Sequence, residues 1–475
     1  MPEKIKKFKY IEIAEKIEHL IFNGTYKNGD KLNSVRTMSL EYKISISTAF
    51  RAYYYLESKG LIEAKSRSGY YVKHQSENRF EDIKAMEDKD YKIGTLSELT
   101  IQIVKSIQKE KDQLSFLIPP IDLIPTGKLK KSAKKILQTS STAYTEYSTI
   151  QGSKKARIEV SKLLLNSQAI VNYDDIILTN GCYEAISLAL EATTEPNDIV
   201  AVESPTAFGL LQLLTSLKLK IIEIPINIKT GISIEQLEKN LKINAIKACI
   251  FIPNFNNPTG ALMSDEKKQK VVSLLEKFDI PLIEDDIYGE IYFTSHRPRS
   301  CKSFDKSGNV ILCSSLSKTL APGYRFGWIT PGKYYEKIYK IKHERSIYCN
   351  TLNQMIIADF LKNGRFDFHL RNYRNRIYER YQNTLQLITK YFPKNIKITQ
   401  PKGSTALWIE LNYNIDATKL SMLLLKENIG LLPGKSFSTT NYFNNFIRIN
   451  FSSPYSEELE YKFAYIGKIL KQLNQ

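Results

Sequence analysis

The sequence predicts an α/β fold in two parts. Three short helices and a β-hairpin come first, and a larger body built on a mostly parallel sheet flanked by helices follows. Two observations predict it. From Asp175 onward, short β-rich runs alternate with helical stripes: Ile176 to Leu178, Ile199 to Val202, Ile221 to Ile224, Ala248 to Ile252, Leu282 to Ile283 and Val310 to Cys313. Such alternation marks a parallel sheet wrapped by helices. In the first seventy residues, three helical stripes instead give way to two β-prone runs. At 475 residues the chain is also too long for one ordinary core, so more than one domain is expected.

Ile13, Ile17, Leu20 and Ile21 recur at helical spacing, with Gly24 after them as a stop. Val35, Met38 and Tyr42 form a second stripe behind Ser34, a residue suited to an N-cap. The third stripe runs from Ser45 to Leu56, with Ala49, Ala52, Tyr53 and Leu56 on one face and Ser45, Ser47, Thr48 and Arg51 near its start. Leu61 to Ala64 and Tyr70 to Val72 are the arms of a hairpin with a basic tip, Lys65-Ser66-Arg67-Ser68-Gly69. Together these describe a winged helix-turn-helix, whose third helix enters a major groove of DNA. Residues 1–75 hold 14 Lys/Arg against 8 Asp/Glu, and 14 − 8 leaves +6, enough for phosphate contacts that weaken with salt.

From about His74 to Gln113 the sequence is charged, with few large apolar residues before Ile93. It predicts a linker with a helix from Leu96 to about Gln108, on the spacing Leu99, Ile101, Ile103, Ile107. The expected domains are therefore 1–74, a linker over 75–110, and 111–475. Hydrophobic content of 42% and charged content of 25% are those of a soluble globular protein. The net charge of +18 and pI near 9.3 point to an anionic partner. Five cysteines without Cys-x-x-Cys spacing predict free thiols in a reducing compartment, and five scattered histidines give no metal-binding pattern. The basic start, Met1 to Lys9, lacks the apolar run of a signal peptide, and no stretch of about 18 apolar residues follows. The expected location is the cytoplasm, with no membrane partner.

The chemistry is concentrated in Ser314-Ser315-Leu316-Ser317-Lys318-Thr319-Leu320-Ala321-Pro322-Gly323-Tyr324-Arg325-Phe326-Gly327-Trp328. A lysine between two serines and a Pro-Gly turn follows one apolar strand and precedes another. Strand exits are where open α/β sheets grip ligands, and a lysine there can condense with an aldehyde. Hydroxyls and a guanidinium suit a phosphate. Taken alone, Lys318 would be a solvated loop lysine. However, three further motifs follow apolar runs in the same way: Thr179-Asn180-Gly181-Cys182-Tyr183-Glu184, Asn257-Pro258-Thr259-Gly260 and Glu284-Asp285-Asp286-Ile287-Tyr288. Four in order make a specific signal.

In this order the motifs resemble the fold type I aminotransferase family of pyridoxal-phosphate (PLP) enzymes, over roughly residues 111 to 475. The resemblance implies the PLP-dependent transferase fold, with a smaller C-terminal α/β subdomain, and pyridoxal 5'-phosphate as cofactor. It implies that Lys318 bonds the cofactor and that Asp285 faces the pyridine nitrogen. Asp286 stands next to it, but the Asp-x-x-Tyr spacing to Tyr288 selects Asp285. Tyr288 and Asn257 match the residues that bond the ring oxygen. Gly181, Cys182 and Tyr183, at a helix start favourable to a dianion, would hold the phosphate with Ser315, Ser317 and Arg325. Where the family often stacks a tyrosine on the ring this chain has Ala207, with Phe208 next as the candidate. Arg448, in the alternating run Phe446 to Phe451, matches the clamp for a substrate's α-carboxylate, a task suited to a guanidinium. Tyr147 resembles the residue that reaches the partner subunit's phosphate, which implies a homodimer. The run Arg371, Arg374, Arg376, Arg380 reads as a solvated or interdomain helix face.

The first domain resembles the GntR-type DNA-binding domain over its full length. The resemblance implies contacts to double-stranded operator DNA from Arg36, from Ser45, Ser47 and Thr48 at the start of the third helix, and from the wing glycine Gly69. Asn33 stands where that family usually has proline, and Ile46 where it often has arginine. The two domains in this order resemble the MocR-type regulators. That resemblance implies a PLP-containing transcription regulator whose large domain senses PLP or an amino compound. The alternative is a working aminotransferase with an accessory DNA-binding domain.

Overall fold

The computed structural model describes residues 9–22, 25–58, 61–65, 68–73, 105 and 114–474. The expected linker over 75–110 and its helix lie outside the described residues apart from Lys105, as do Gly24 and the wing residues Ser66 and Arg67.

Helices α1 (Lys9–Phe22), α2 (Val35–Glu41) and α3 (Ile46–Ser58) precede an antiparallel hairpin. Its strands β1 (Ile62–Lys65) and β2 (Gly69–Val72) pair from Ile62 with Val72 to Lys65 with Gly69. The predicted apolar faces meet in one core of Ile13, Ile17, Ile21, Met38, Ala49, Ala52, Tyr53 and Leu56. Ser34 caps α2 by accepting the Thr37 N–H. Ser45 accepts the Thr48 N–H at 3.1 Å, so α3 starts at Ile46 with Ser45 as its cap.

The large body carries an eight-stranded sheet in the order β3-β10-β9-β8-β7-β4-β5-β6. The strands are β3 (Ile177–Thr179), β4 (Ile199–Ser204), β5 (Lys220–Asn227), β6 (Gly231–Ile232), β7 (Ile246–Phe251), β8 (Leu282–Asp285), β9 (Val310–Ser315) and β10 (Gly327–Thr330). β5, β4, β7, β8 and β9 pair in parallel. Helices cover both faces, which is why these strands read as continuous apolar runs rather than alternating ones. β10 is antiparallel to both β9 and β3, so β3 points the same way as β9. The carboxyl ends of β3, β9, β8, β7 and β4 therefore share one edge of the sheet, and the four motifs sit on it.

A second, antiparallel sheet of β11 (Lys397–Ile398), β12 (Ala406–Glu410), β13 (Leu432–Pro433) and β14 (Phe446–Asn450) runs in the order β11-β12-β14-β13. It packs with the helices Ala417–Leu425, Glu457–Leu473 and part of Arg365–Tyr391. The arginine run on Arg365–Tyr391 is not one solvated face. Arg380 is buried, bonded to Asp122 and to the Ser452 carbonyl, and Arg374 lies over the Tyr292 ring. Arg376 alone of these pairs at the surface, with Glu379. All five cysteines are free and buried. Among the described residues, no helix is long and apolar enough to cross a membrane.

Candidate functional site

A cleft of about 600 Å³ opens at the shared strand edge, lined by Lys318, Asn257, Tyr288, Arg448, Phe208 and the segment from Phe116 to Ile121. Lys318 closes a single 3-10 turn after β9, capped by Ser315, whose Oγ accepts the Ser317 N–H at 3.3 Å. The Tyr373 hydroxyl donates to the Lys318 carbonyl at 3.0 Å, and His369 Nε2 lies 2.6 Å from the next carbonyl. The backbone is thus pinned while the side chain reaches into the cleft. There Lys318 Nζ donates to the Leu117 carbonyl at 2.6 Å.

Burial, helped by the nearby Arg448 cation, lowers the Lys318 amine to about 8. At pH 8 about half of it is neutral, against about 0.4% for an ordinary lysine. Only the neutral amine attacks a carbonyl. Uptake of pyridoxal phosphate by the cofactor-stripped protein should therefore speed up as pH rises and level off above about 8. Growth of the cofactor's visible absorbance band measures it. A rate that keeps rising to pH 10 would show an unshifted amine.

Asp285 ends β8. Its Oδ1 accepts from Cys182 Sγ at 3.4 Å and from the Ile287 N–H at 3.1 Å. Burial raises its carboxyl to about 6, and no cation stands within ion-pair distance of it among the described residues. Its field acts on Lys318, drawing the amine's pKa back up. Asp286 is engaged elsewhere, bonded to Arg297 and to Asn254 Nδ2. Adjacent residues at a strand end diverge in this way, so the two carboxylates are separated by backbone alternation.

Gly181 opens the helix Cys182–Thr193 at φ +92°, with no side-chain cap, so the first N–H groups of that helix face outward. A Cβ on Gly181 would stand 2.5 Å from Arg325 Nη2. Arg325, itself left-handed at φ 51°, donates to the Asn180 carbonyl at 2.7 Å. Gly327, two residues later, has no room for a Cβ either: it would lie 2.6 Å from the Gly181 backbone. The Arg-x-Gly ending of the lysine motif is therefore a packing requirement of this cradle. Ser315 and Ser317 stand in the turn beside it.

Arg448 lies on β14 and is buried. It donates to Asn257 Oδ1 at 3.0 Å and to the Ser115 carbonyl, its Nε has no partner, and no carboxylate pairs with it among the described residues. Burial lowers it to about 10. Tyr288 is pushed well above the usual tyrosine value, first by burial, although Arg448 and a hydrogen bond with Asn257 act in the other direction. Sequence reasoning did not find the segment that answers these groups. The Ser115, Phe116, Leu117 and Ile118 carbonyls accept from Arg448, Asn450, Lys318 and Ser452 respectively. Backbone acceptors leave no residue signature. Tyr147 lies outside the cleft, exposed and stacked on Tyr348 at 4.7 Å.

This donor set could hold a phosphorylated pyridine aldehyde. It has a partly neutral buried amine, a carboxylate with no ion-pair partner among the described residues, a glycine-walled anion cradle at a helix start, and a buried cation that no carboxylate pairs with among the described residues.

On the N-terminal domain, Arg36, Ser45 and Ser47 are exposed and Thr48 is half-buried. Gly69 begins β2 at φ +110°, a left-handed conformation that favours glycine. Ile46, Phe50 and Tyr54 stand exposed along the outer face of α3.

Residues 122–466 match the aminotransferase class I and II family, and residues 9–72 match the gntR family of bacterial regulatory proteins. The chain is 36% identical to the uncharacterized HTH-type transcriptional regulator YjiR of Escherichia coli (strain K12), over 97% of this chain and 98% of that one. It is 32% identical to the uncharacterized HTH-type transcriptional regulator YdcR of the same strain, over 98% and 99%. Among solved structures, an archaeal alanine:glyoxylate aminotransferase superposes with a TM-score of 0.74 at 26% identity, covering 80% of this chain and 96% of the other.

Proposed function

The chain belongs to the MocR-type regulators, in which a GntR helix-turn-helix domain is fused to an aminotransferase class I and II domain, and from that membership we propose that an amino compound held in the cleft controls its binding to operator DNA. Arg448 carries the reading. A buried guanidinium without a carboxylate is unfavourable by several kcal/mol unless a counter-charge arrives. A ligand's carboxylate is that counter-charge, and Nε with the donor now on the Ser115 carbonyl is the pair that would meet it.

Pyridoxal phosphate, when bound, supplies an electrophilic carbon and an electron-withdrawing ring. Lys318 would bond it and Asp285 would keep its ring nitrogen protonated. Tyr288 and Asn257 would donate to its ring oxygen. The first N–H groups of the helix Cys182–Thr193 would hold its phosphate with Ser315, Ser317 and Arg325. Phe208, which lines the cleft, would cover the ring.

The route to DNA starts at Ser115. A carboxylate on Arg448 takes the donor that now holds the Ser115 carbonyl, and an amino group that displaces Lys318 returns that amine to the reach of the Leu117 carbonyl. Both lie on the first described stretch after the proposed linker over 75–110. Ligand binding would thus re-pair the segment that follows the reader domain. The shift it drives is limited to its differential affinity, about 1–3 kcal/mol in typical couplings. Tyr147 would complete the site of a second subunit in a homodimer, to which its exposed stack on Tyr348 is suited.

The deciding experiment is a DNA-shift assay on the neighbouring promoter with and without PLP and a panel of amino acids. Ligand-dependent binding supports the reading. Steady transamination at about 1–1000 per second with no DNA shift would replace it with the enzyme reading. Arg36→Ala should weaken binding to every duplex alike and lower the slope of log affinity against log salt by about one, without bleaching the protein. Anisotropy titrations across salt measure it, and a variant that lost its colour would mean the two domains do not act separately.

A further inference from the structure

We propose that the ligand of this cleft is an α-amino monocarboxylate with an uncharged apolar side chain, and that Ile118, Ile121 and Phe208 form the wall that selects it. The inference rests on the reading of Lys318 and Arg448 given above and specifies its ligand.

The charged side chains among the described lining residues are Lys318 and Arg448, with no acid among them. The amino end of a ligand engages at the first and its α-carboxylate at the second, so no charge remains for a side chain. The mouth of the cleft is largely apolar, with Ile118, Pro119, Ile121, Phe208 and Leu432, and the other polar lining residues, Gln212, Asn257, Tyr288, Asn450 and Ser452, are all neutral. The Phe116 and Ile118 carbonyls are bonded inward to Asn450 and Ser452, so at these two positions the stretch turns side chains rather than polar backbone toward a ligand. Ile118 is 57% and Ile121 80% exposed, an apolar surface at the mouth that an apolar ligand would cover. A glutamate or lysine side chain would bring its charge against these residues with no opposite charge to meet. A polar group left unpaired in such a place loses roughly 1–3 kcal/mol, about a factor of five to two hundred.

The test is a titration of the full-length, cofactor-loaded protein with L-norleucine, L-phenylalanine, L-glutamate and L-lysine. Binding is followed by the visible absorbance band and, independently, by the thermal unfolding midpoint. Norleucine and phenylalanine should bind at least about tenfold more tightly than glutamate or lysine. Equal or tighter binding of glutamate or lysine would overturn the apolar assignment while leaving an amino-ligand site in place. If none of the four moves either readout, the amino-ligand reading fails and this inference fails with it. Ile118→Arg, at an exposed position that tolerates the change, should tighten glutamate by about tenfold and weaken norleucine. An unaltered ranking in that variant would remove Ile118 from the selecting wall.

Discussion

Lys318→Ala is expected to yield a folded but colourless protein, whereas the wild-type chain is expected to be yellow and to fix the cofactor to Lys318 on borohydride reduction. Among the described residues Lys268 and Lys342 are buried and Lys318 faces the cleft, and they differ in what their amines meet. Lys268 Nζ donates to the Arg299 carbonyl at 2.7 Å and lies 3.6 Å from Asp265. Lys342 Nζ is held by Ser346 and Cys349 and lies 3.5 Å from Glu184. Lys318 has a single backbone carbonyl and faces the cleft. Its lowered pKa gives it on the order of a hundred times more neutral amine at pH 8 than an exposed lysine. Alanine removes a cation that burial disfavours, so the unfolding midpoint should not fall below that of the cofactor-free wild type, and DNA binding without ligand should persist. Peptide mass mapping decides the matter. An adduct on Lys268, Lys342 or a surface lysine would remove Lys318 from the centre of the site.

The fold was legible wherever a strand is buried on both faces. The apolar runs at Ile199, Ile221 and Val310 fall inside observed strands, because a strand covered by helices has no polar face to disguise it, and the run Ala248 to Ile252 overruns its strand by one residue. β6 and β13 are two residues each, too short to carry a period, and neither they nor β11 and β12 were assigned from sequence. The residues named from motifs gather at one sheet edge because strand direction puts them there. Other features depend on partners far away in sequence. Arg380 reads as a surface residue on its own helix, yet it is buried against Asp122, 258 positions earlier. Asp285 and Asp286 are chemically alike and adjacent. Only the strand's alternation gives one to Arg297 and leaves the other without an ion-pair partner among the described residues, with Lys318 as a more distant cation. The Ser115 and Leu117 carbonyls were beyond sequence reasoning altogether, since every residue has one.

Arg448→Met is expected to abolish the response to carboxylate ligands while keeping the cofactor. Methionine approximates the volume of the buried arginine and introduces no charge. The lost interaction is a bidentate, desolvated ion pair, and truncating one partner of such a pair weakens binding by about 2–5 kcal/mol, roughly thirtyfold to several thousandfold. A merely structural arginine would lower stability and leave affinity alone, so the apparent dissociation constant of norleucine and the unfolding midpoint should be measured together. A second readout comes from charge. The Arg448 cation helps to hold the Lys318 amine down near 8. Without that cation the amine's pKa must rise, because its protonated form is no longer repelled. The pH at which cofactor uptake levels off should then move upward from about 8, even though Arg448 is not the residue that takes up the cofactor. A variant that still binds norleucine as tightly as the wild type, with its uptake curve unmoved, would mean that the guanidinium neither meets the ligand nor acts on the lysine.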